Sequence, residues 1–363
     1  MNLAFEHLIV YMTLLPLFLL SFTPYLTKKT DCFGVTIPLD MYDRPEFRKM
    51  RKQFTFISFL INLLILFGLL FLQARVSEST FMISFIVLIF SLLIIFFILY
   101  LPFHQSVKKM KKNEAWIYNY KQKRLIDTEF RKANLAISYK WYLIPFLMIV
   151  GTLLYSFIIY DTIPSEIPTH TGPGGHVTYS EKSMTTIILL PIIQLFMLAI
   201  FVASQYAITI AKQSLHPANP KGSQEQNKKF RRYWSIFTLL IGIATTALLS
   251  YIQLAMFHDF LFQEQSKVIL LFITIVIVSL IILSIRTGQS GSRLNELNSE
   301  TDHVIEVDED EHWILGQIYF NRQDPTIFVE KRFGIGWTVN FARPITWIFL
   351  LILLLPLALL IVI

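Results

Sequence analysis

Eight long apolar runs, each free of ionisable residues at its centre, leave this chain few folds other than a bundle of membrane-spanning helices. They extend over Leu8 to Leu26, Phe54 to Leu72, Phe81 to Leu101, Trp141 to Tyr160, Met184 to Ile210, Trp234 to Met256, Val268 to Ile285 and Ile345 to Ile363. A helix rises about 1.5 Å per residue, so about 20 apolar residues cover a hydrocarbon core roughly 30 Å thick. Strands crossing a membrane alternate apolar and polar side chains, and these runs are apolar all round, which excludes a barrel. The first run has no Lys or Arg before it and no small-x-small site after it, so it reads as a retained helix rather than a cleaved signal.

Basic residues sort by loop. Of 32 Lys and Arg, all but Arg75, Lys182 and Lys267 fall in the loops that follow the first, third, fifth and seventh runs. By the positive-inside rule these four loops face the cytoplasm, and both termini lie outside a cell membrane crossed many times. The net charge of +7 therefore reflects orientation and contact with the lipid bilayer, not nucleic-acid binding. The single cysteine, Cys32, excludes an intrachain disulfide and a thiol pair for zinc.

Within the runs the polar residues are neutral: Asn62, Gln194, Ser204, Gln205, Thr245, Thr246, Ser250 and Gln253. Buried charge is costly in lipid, and its absence argues against a proton pump, a voltage sensor or a carboxylate relay. The glutamines suit hydrogen bonds between helices; the alternative is a polar path in a transporter or flippase of a small amphipathic molecule. No zinc-protease, nucleophile-elbow or Walker motif is present, so no catalytic residue, enzyme activity or cofactor is expected. His170, His176 and His258 do not have a standard ligand spacing, and no metal site is expected. The glycines of Gly172 to Gly175 and of Gly334 to Gly336 read as turns.

The order of features predicts an all-α polytopic bundle of about eight transmembrane helices with a small cytoplasmic β-hairpin before the last one. An N-terminal membrane region (1–140) carries three helices and two basic loops. A helix pair with an outer loop (141–211) and a second pair (212–285) follow. A cytoplasmic acidic linker and β element (286–344) then lead to the C-terminal helix (345–363). Gln213 to Asn227, with Pro217 and Pro220, reads as a flexible connector. The acidic run from Glu300 to Glu311 reads as a solvated linker; the alternative is attraction to the basic loops, above all Lys108 to Lys112, or to a basic partner. Trp313 to Phe320 and Thr326 to Val329 are β-prone and flank Asn321 to Pro325, which predicts one hairpin turning there.

Two short patterns are more specific. Between the fourth and fifth runs, Ile167, Pro168, His170, Gly175 and Lys182 form an I-P-x-H…G…K pattern in a turn-rich loop. It resembles an uncharacterised membrane domain of the SdpI-type bacterial immunity proteins, except that Thr178 stands where that family usually has an acid. The stretch from His312 to Phe341, ending in Phe333-Gly334-Ile335-Gly336-Trp337-Thr338-Val339-Asn340-Phe341, is similar to an uncharacterised C-terminal domain that often accompanies the first in Bacillus-like bacteria. Phe33-Gly34-Val35 with Ile37-Pro38 also looks like that group. The resemblance implies a Gram-positive membrane protein of immunity or signalling that responds to a secreted peptide or to envelope stress and acts on a transcriptional repressor inside. It places ligand contact outside, at Pro168, His170, Gly175, Tyr179 and Lys182. A cytoplasmic partner surface is expected at Trp313, Asn321, Asp324, Phe333, Trp337 and Asn340.

Overall fold

The computed structural model describes residues 14–73, 75–114, 116, 121–123, 135–171, 177–213, 215–217, 219–294 and 304–351. Its helices are α1 (14–21), α2 (Thr23–Leu26), α3 (Pro45–Gln73), α4 (Glu78–Glu114), α5 (Leu143–Ile158), α6 (Met184–Ile210), α7 (Pro220–Ala255), α8 (Asp259–Thr287) and α9 (344–351). Six of them, α3 to α8, are long and apolar enough to cross a membrane, α5 together with the 3-10 turn Tyr139–Tyr142 in front of it. The chain is thus a multi-pass membrane protein. The first and last expected spans lie partly outside the described residues, so the expected total of eight is not reached among them.

Polarity runs inside out, as a bilayer requires. Phe56, Leu64, Ile86 and Leu271 point outward, whereas Asn62, Gln194, Gln205 and Gln253 are fully buried. The glutamines tie α5, α6 and α7 together. Gln194 Nε2 donates to the Thr246 carbonyl at 3.3 Å and to Ser250 Oγ at 3.0 Å. Thr152 Oγ1 on α5 meets the same Ser250 hydroxyl at 2.9 Å. Gln253 Nε2 donates to the Ile187 carbonyl at 2.9 Å, and Gln205 Nε2 to that of Ile137 at 2.9 Å. In lipid such bonds are interhelical glue, because no apolar transfer term drives one helix against another.

Helix packing falls into two sets. In one, α3 packs on α4 beside α1 and α2; in the other, α5, α6 and α7 pack mutually and α8 lies on α7. Several helices overrun the expected spans. Asn219 caps α7 by accepting from the Gly222 amide at 2.9 Å, and Pro220 occupies the first turn, where its missing N–H costs nothing. The expected connector Gln213 to Asn227 is therefore helical from Pro220 onward. A cap and an N1 proline carried the signal, and the polar composition masked it.

Short antiparallel hairpins decorate the two ends. At the basic end are β1 (Asp31–Cys32) with β2 (Val35–Thr36), β7 (Trp313–Ile314) with β8 (Ile318–Tyr319), and β9 (Phe328–Glu330) with β10 (Trp337–Val339). A parallel pair joins β3 (Lys121–Lys123) to β6 (Val304–Glu306). At the other end β4 (Glu166–Thr171) pairs with β5 (Val177–Glu181). The single expected hairpin turning at Asn321 to Pro325 is two hairpins instead. Gly316, and Gly334 with Gly336, adopt positive φ and close them. Asn321 to Pro325 joins the two, with Asn321 Oδ1 accepting from the amides of Gln323 and Asp324.

Candidate functional site

The basic end gathers the chain's buried charge. Glu330 on β9 is met by two hydrogen-bond donors and two cations from three separate segments. Asn227 Nδ2 approaches at 2.6 Å, Ser290 Oγ at 2.5 Å, Lys28 Nζ at 2.9 Å and the Arg231 guanidinium at 3.8 Å. Burial pushes this carboxyl up, but Lys28 and then Arg231 more than offset that and hold it below its ordinary value. Arg231 is fully buried. Its Nε donates to Asn227 Oδ1 at 2.6 Å, and its two terminal nitrogens donate to the carbonyls of Ile208, Ala211 and Lys212. A guanidinium thus closes the C-terminus of α6, where unpaired carbonyls and the helix dipole favour a cation.

A second cluster lies on α4. Lys111 Nζ donates to Asp308 at 2.8 Å and to Asp310 at 2.5 Å; Arg332 also binds Asp310. The amide and hydroxyl of Thr36 on β2 donate to the same carboxylate. Burial would raise Asp310, but Arg332 and Lys111 outweigh it and bring the pKa from 3.8 down to about 2. The third cluster follows α6. Lys212 Nζ bonds Glu309 at 2.8 Å and Asp324 at 2.9 Å, and Tyr319 donates its hydroxyl to Asp324 at 2.7 Å. The attraction between the acidic run and Lys108 to Lys112 takes this form, with Lys111 as the partner and Lys212 as a second.

Aromatic packing seats the element on both helix sets. Phe333 enters a nest of Phe33, Phe54 and Tyr100, its ring 4.6 Å from that of Tyr100. Trp337 lies 5.2 Å from Phe230 on α7. Two turns converge on Tyr100, whose hydroxyl lies 2.8 Å from the Phe33 carbonyl and 3.0 Å from that of Leu315. Next to them Gly34 and Gly316 have positive φ. A Cβ on Gly34 would stand 2.4 Å from Tyr100 Oη and 2.5 Å from the Gly316 carbonyl oxygen, so only glycine fits.

Residues 308–343 therefore act as a clasp across the two helix sets, which Arg293 beyond α8 also joins by donating to the Tyr25 carbonyl at 2.8 Å. The pairing has a definite pH dependence. Asp310, Asp324 and Glu330 all have lowered pKa values, so their contribution is complete above the ordinary carboxylate range and is lost as pH falls through the folded values. Acidifying the reconstituted protein from pH 5 to about pH 2 is expected to expose Trp313 and Trp337, read as a red shift and greater aqueous quenching of their fluorescence. Raising the pH from 7 to 8, above the ordinary range of the buried His104, should change neither signal.

The sequence-expected site residues divide. Pro168 pairs with Tyr179 across β4–β5, and the register shifts between Pro168 and His170. Tyr179 is 56% exposed. Lys182 is held locally, donating to the carbonyls of Tyr160 at 3.2 Å and Ile163 at 2.9 Å. Gly175 and His176 lie outside the described residues. The six residues expected as a partner surface form part of the clasp's framework. Trp313 and Asn340 are buried, and Asn340 Nδ2 donates to the carbonyls of Asn321, Asp324 and Thr326. Asn321 and Asp324 build the turn, and Phe333 and Trp337 are the two docking rings. A two-residue strand has an inward face as well as an outward one, and β-propensity alone does not separate them. Among the described residues no group of three or more His, Cys, Asp and Glu side chains is arranged to hold a metal ion. Tyr100, Asn227, Arg231 and Glu330 were missed. Asn227 and Arg231, one helical turn apart ahead of a span, were the available signal.

Two family models match the chain. Residues 147–195, from α5 through β4–β5 into α6, match a domain of unknown function (DUF1648). Residues 322–347, the second half of the clasp, match a family of unknown function (DUF5808). Comparison with curated proteins and with solved structures gave no significant match.

Proposed function

We propose that this chain is a non-catalytic immunity or signal-transduction component of a Gram-positive cell membrane, responding to an extracellular peptide or to envelope stress. In this reading both termini and the β4–β5 hairpin face outside, and the clasp faces the cytoplasm. The observation that carries it is the clasp itself: buried ion pairs bridge two helix sets at the end opposite the hairpin. A ligand that binds one relative placement of the two sets more tightly than another shifts the population between them. The clasp converts that shift into exposure or concealment of a surface for a transcriptional repressor. The resemblance to the SdpI-type proteins supports the peptide as ligand, with Pro168, His170 and Tyr179 as contacts. The rival, a transporter or flippase, is weakened by Gln194, Gln205 and Gln253, each fully buried and bonded between helices.

The test compares cells that lack the gene with cells that express it, each challenged with secreted toxic peptides. Expression should restore growth against at least one peptide, and Tyr179→Ala with His170→Ala should abolish protection without lowering the amount of protein in the membrane. Equal survival against every peptide would remove the immunity reading.

A further inference from the structure

The β7–β8 hairpin turns an unusual face outward. Trp313 and Tyr319 point into the clasp, while Ile314, Leu315, Ile318 and Phe320 are exposed. Ile314 and Ile318 are cross-strand partners, so these side chains share one side of the ribbon. Strands facing water on one side normally put polar residues there, and this one has four apolar ones.

Its position along α4 tells what covers that face. Asp310, just before the hairpin, is bonded to Lys111. The Leu315 carbonyl, at the tip, is bonded to Tyr100. Eleven residues of helix separate those contacts, roughly 16 Å at 1.5 Å per residue. The hairpin therefore runs along α4 from the level of its lysines toward the apolar run, which ends at Leu101. At that depth the surroundings are the headgroup and acyl boundary. Arg322 lies with its guanidinium 5.8 Å from the Phe320 ring, the pairing of an apolar body and a charged tip that suits such a boundary.

We propose that the β7–β8 hairpin is a lipid anchor, with Ile314, Leu315, Ile318 and Phe320 immersed in the membrane interface beside α4. The anchor does not depend on which ligand the opposite end recognises. It holds the clasp against the bilayer, so that lipid packing and headgroup charge act on the same element that joins the helix sets.

The test uses the full chain in phospholipid vesicles with an environment-sensitive fluorophore on Ile318→Cys, on Leu315→Cys, and on Glu311→Cys as a reference at the lysine level. Cys32 is buried and does not compete for the label. Brominated phospholipid should quench most of the emission at 315 and 318 and little at 311, and aqueous iodide should do the reverse. Iodide quenching at 315 and 318 equal to that at 311 would overturn the anchor and leave the face free for a protein partner. Two labelled positions guard against one damaging the hairpin.

Discussion

Arg231→Ala is expected to lower the stability of the folded protein by about 3–5 kcal/mol, the usual cost of removing one partner of a buried charge pair. The reason is what stays behind. Glu330 loses one of its two balancing cations, and the carbonyls of Ile208, Ala211 and Lys212 lose their donor inside the bundle. Thermal unfolding in mild detergent is a suitable measurement, followed by the loss of protection of 304–343 against protease. Arg231→Met combined with Glu330→Gln should cost less than the sum of the two single changes, because the two side chains interact. Additive losses in that double variant would show that the two side chains act independently, and the clasp would not be one electrostatic unit.

Gly34→Val should detach the clasp from α4 while leaving the helices in place. The position combines a φ of +73° with a Cβ that would overlap the Gly316 carbonyl and the Tyr100 hydroxyl. Strain of this kind costs on the order of 3 kcal/mol, and here a backbone atom would have to give way. The expected readout is release of the Phe333 ring from its nest, measured as protease cleavage between residues 304 and 343 at unchanged helical circular dichroism. Gly336→Ala is the internal control. It also has positive φ, but nothing lies within 4 Å of the added carbon, so its effect should be confined to the smaller backbone term.

Legibility in the sequence was high where the bilayer imposes the rule. Apolar run length placed the six long helices, and the burial of Gln194, Gln205 and Gln253 followed from their being polar in an apolar solvent. It failed where water meets the bundle. Nothing in hydropathy distinguishes Lys111, which is buried against Asp308 and Asp310, from the lysines around it. Phe33-Gly34 stood out as a pattern, but its partner, Leu315-Gly316, lies 282 residues away, and local periodicity carries no information at that separation. The inward faces of the short strands are not legible, because two or three residues provide no alternation to count. For the acidic run, charge complementarity names the basic loops as one candidate contact but not that Lys111 and Lys212 meet it.

Helix α7 has 36 residues, about 54 Å of rod, well beyond the roughly 30 Å of hydrocarbon it crosses. A rod that long is a lever. A change in tilt of about 5° at one end displaces the other by about 5 Å, further than the 2.6 Å separation that joins Asn227 to Glu330. The overhang is therefore mechanical gain: at the far end Ile167 of β4 packs with Met256 and Phe257, so a small rearrangement there would reach Glu330 through α7 as a displacement larger than its hydrogen bonds.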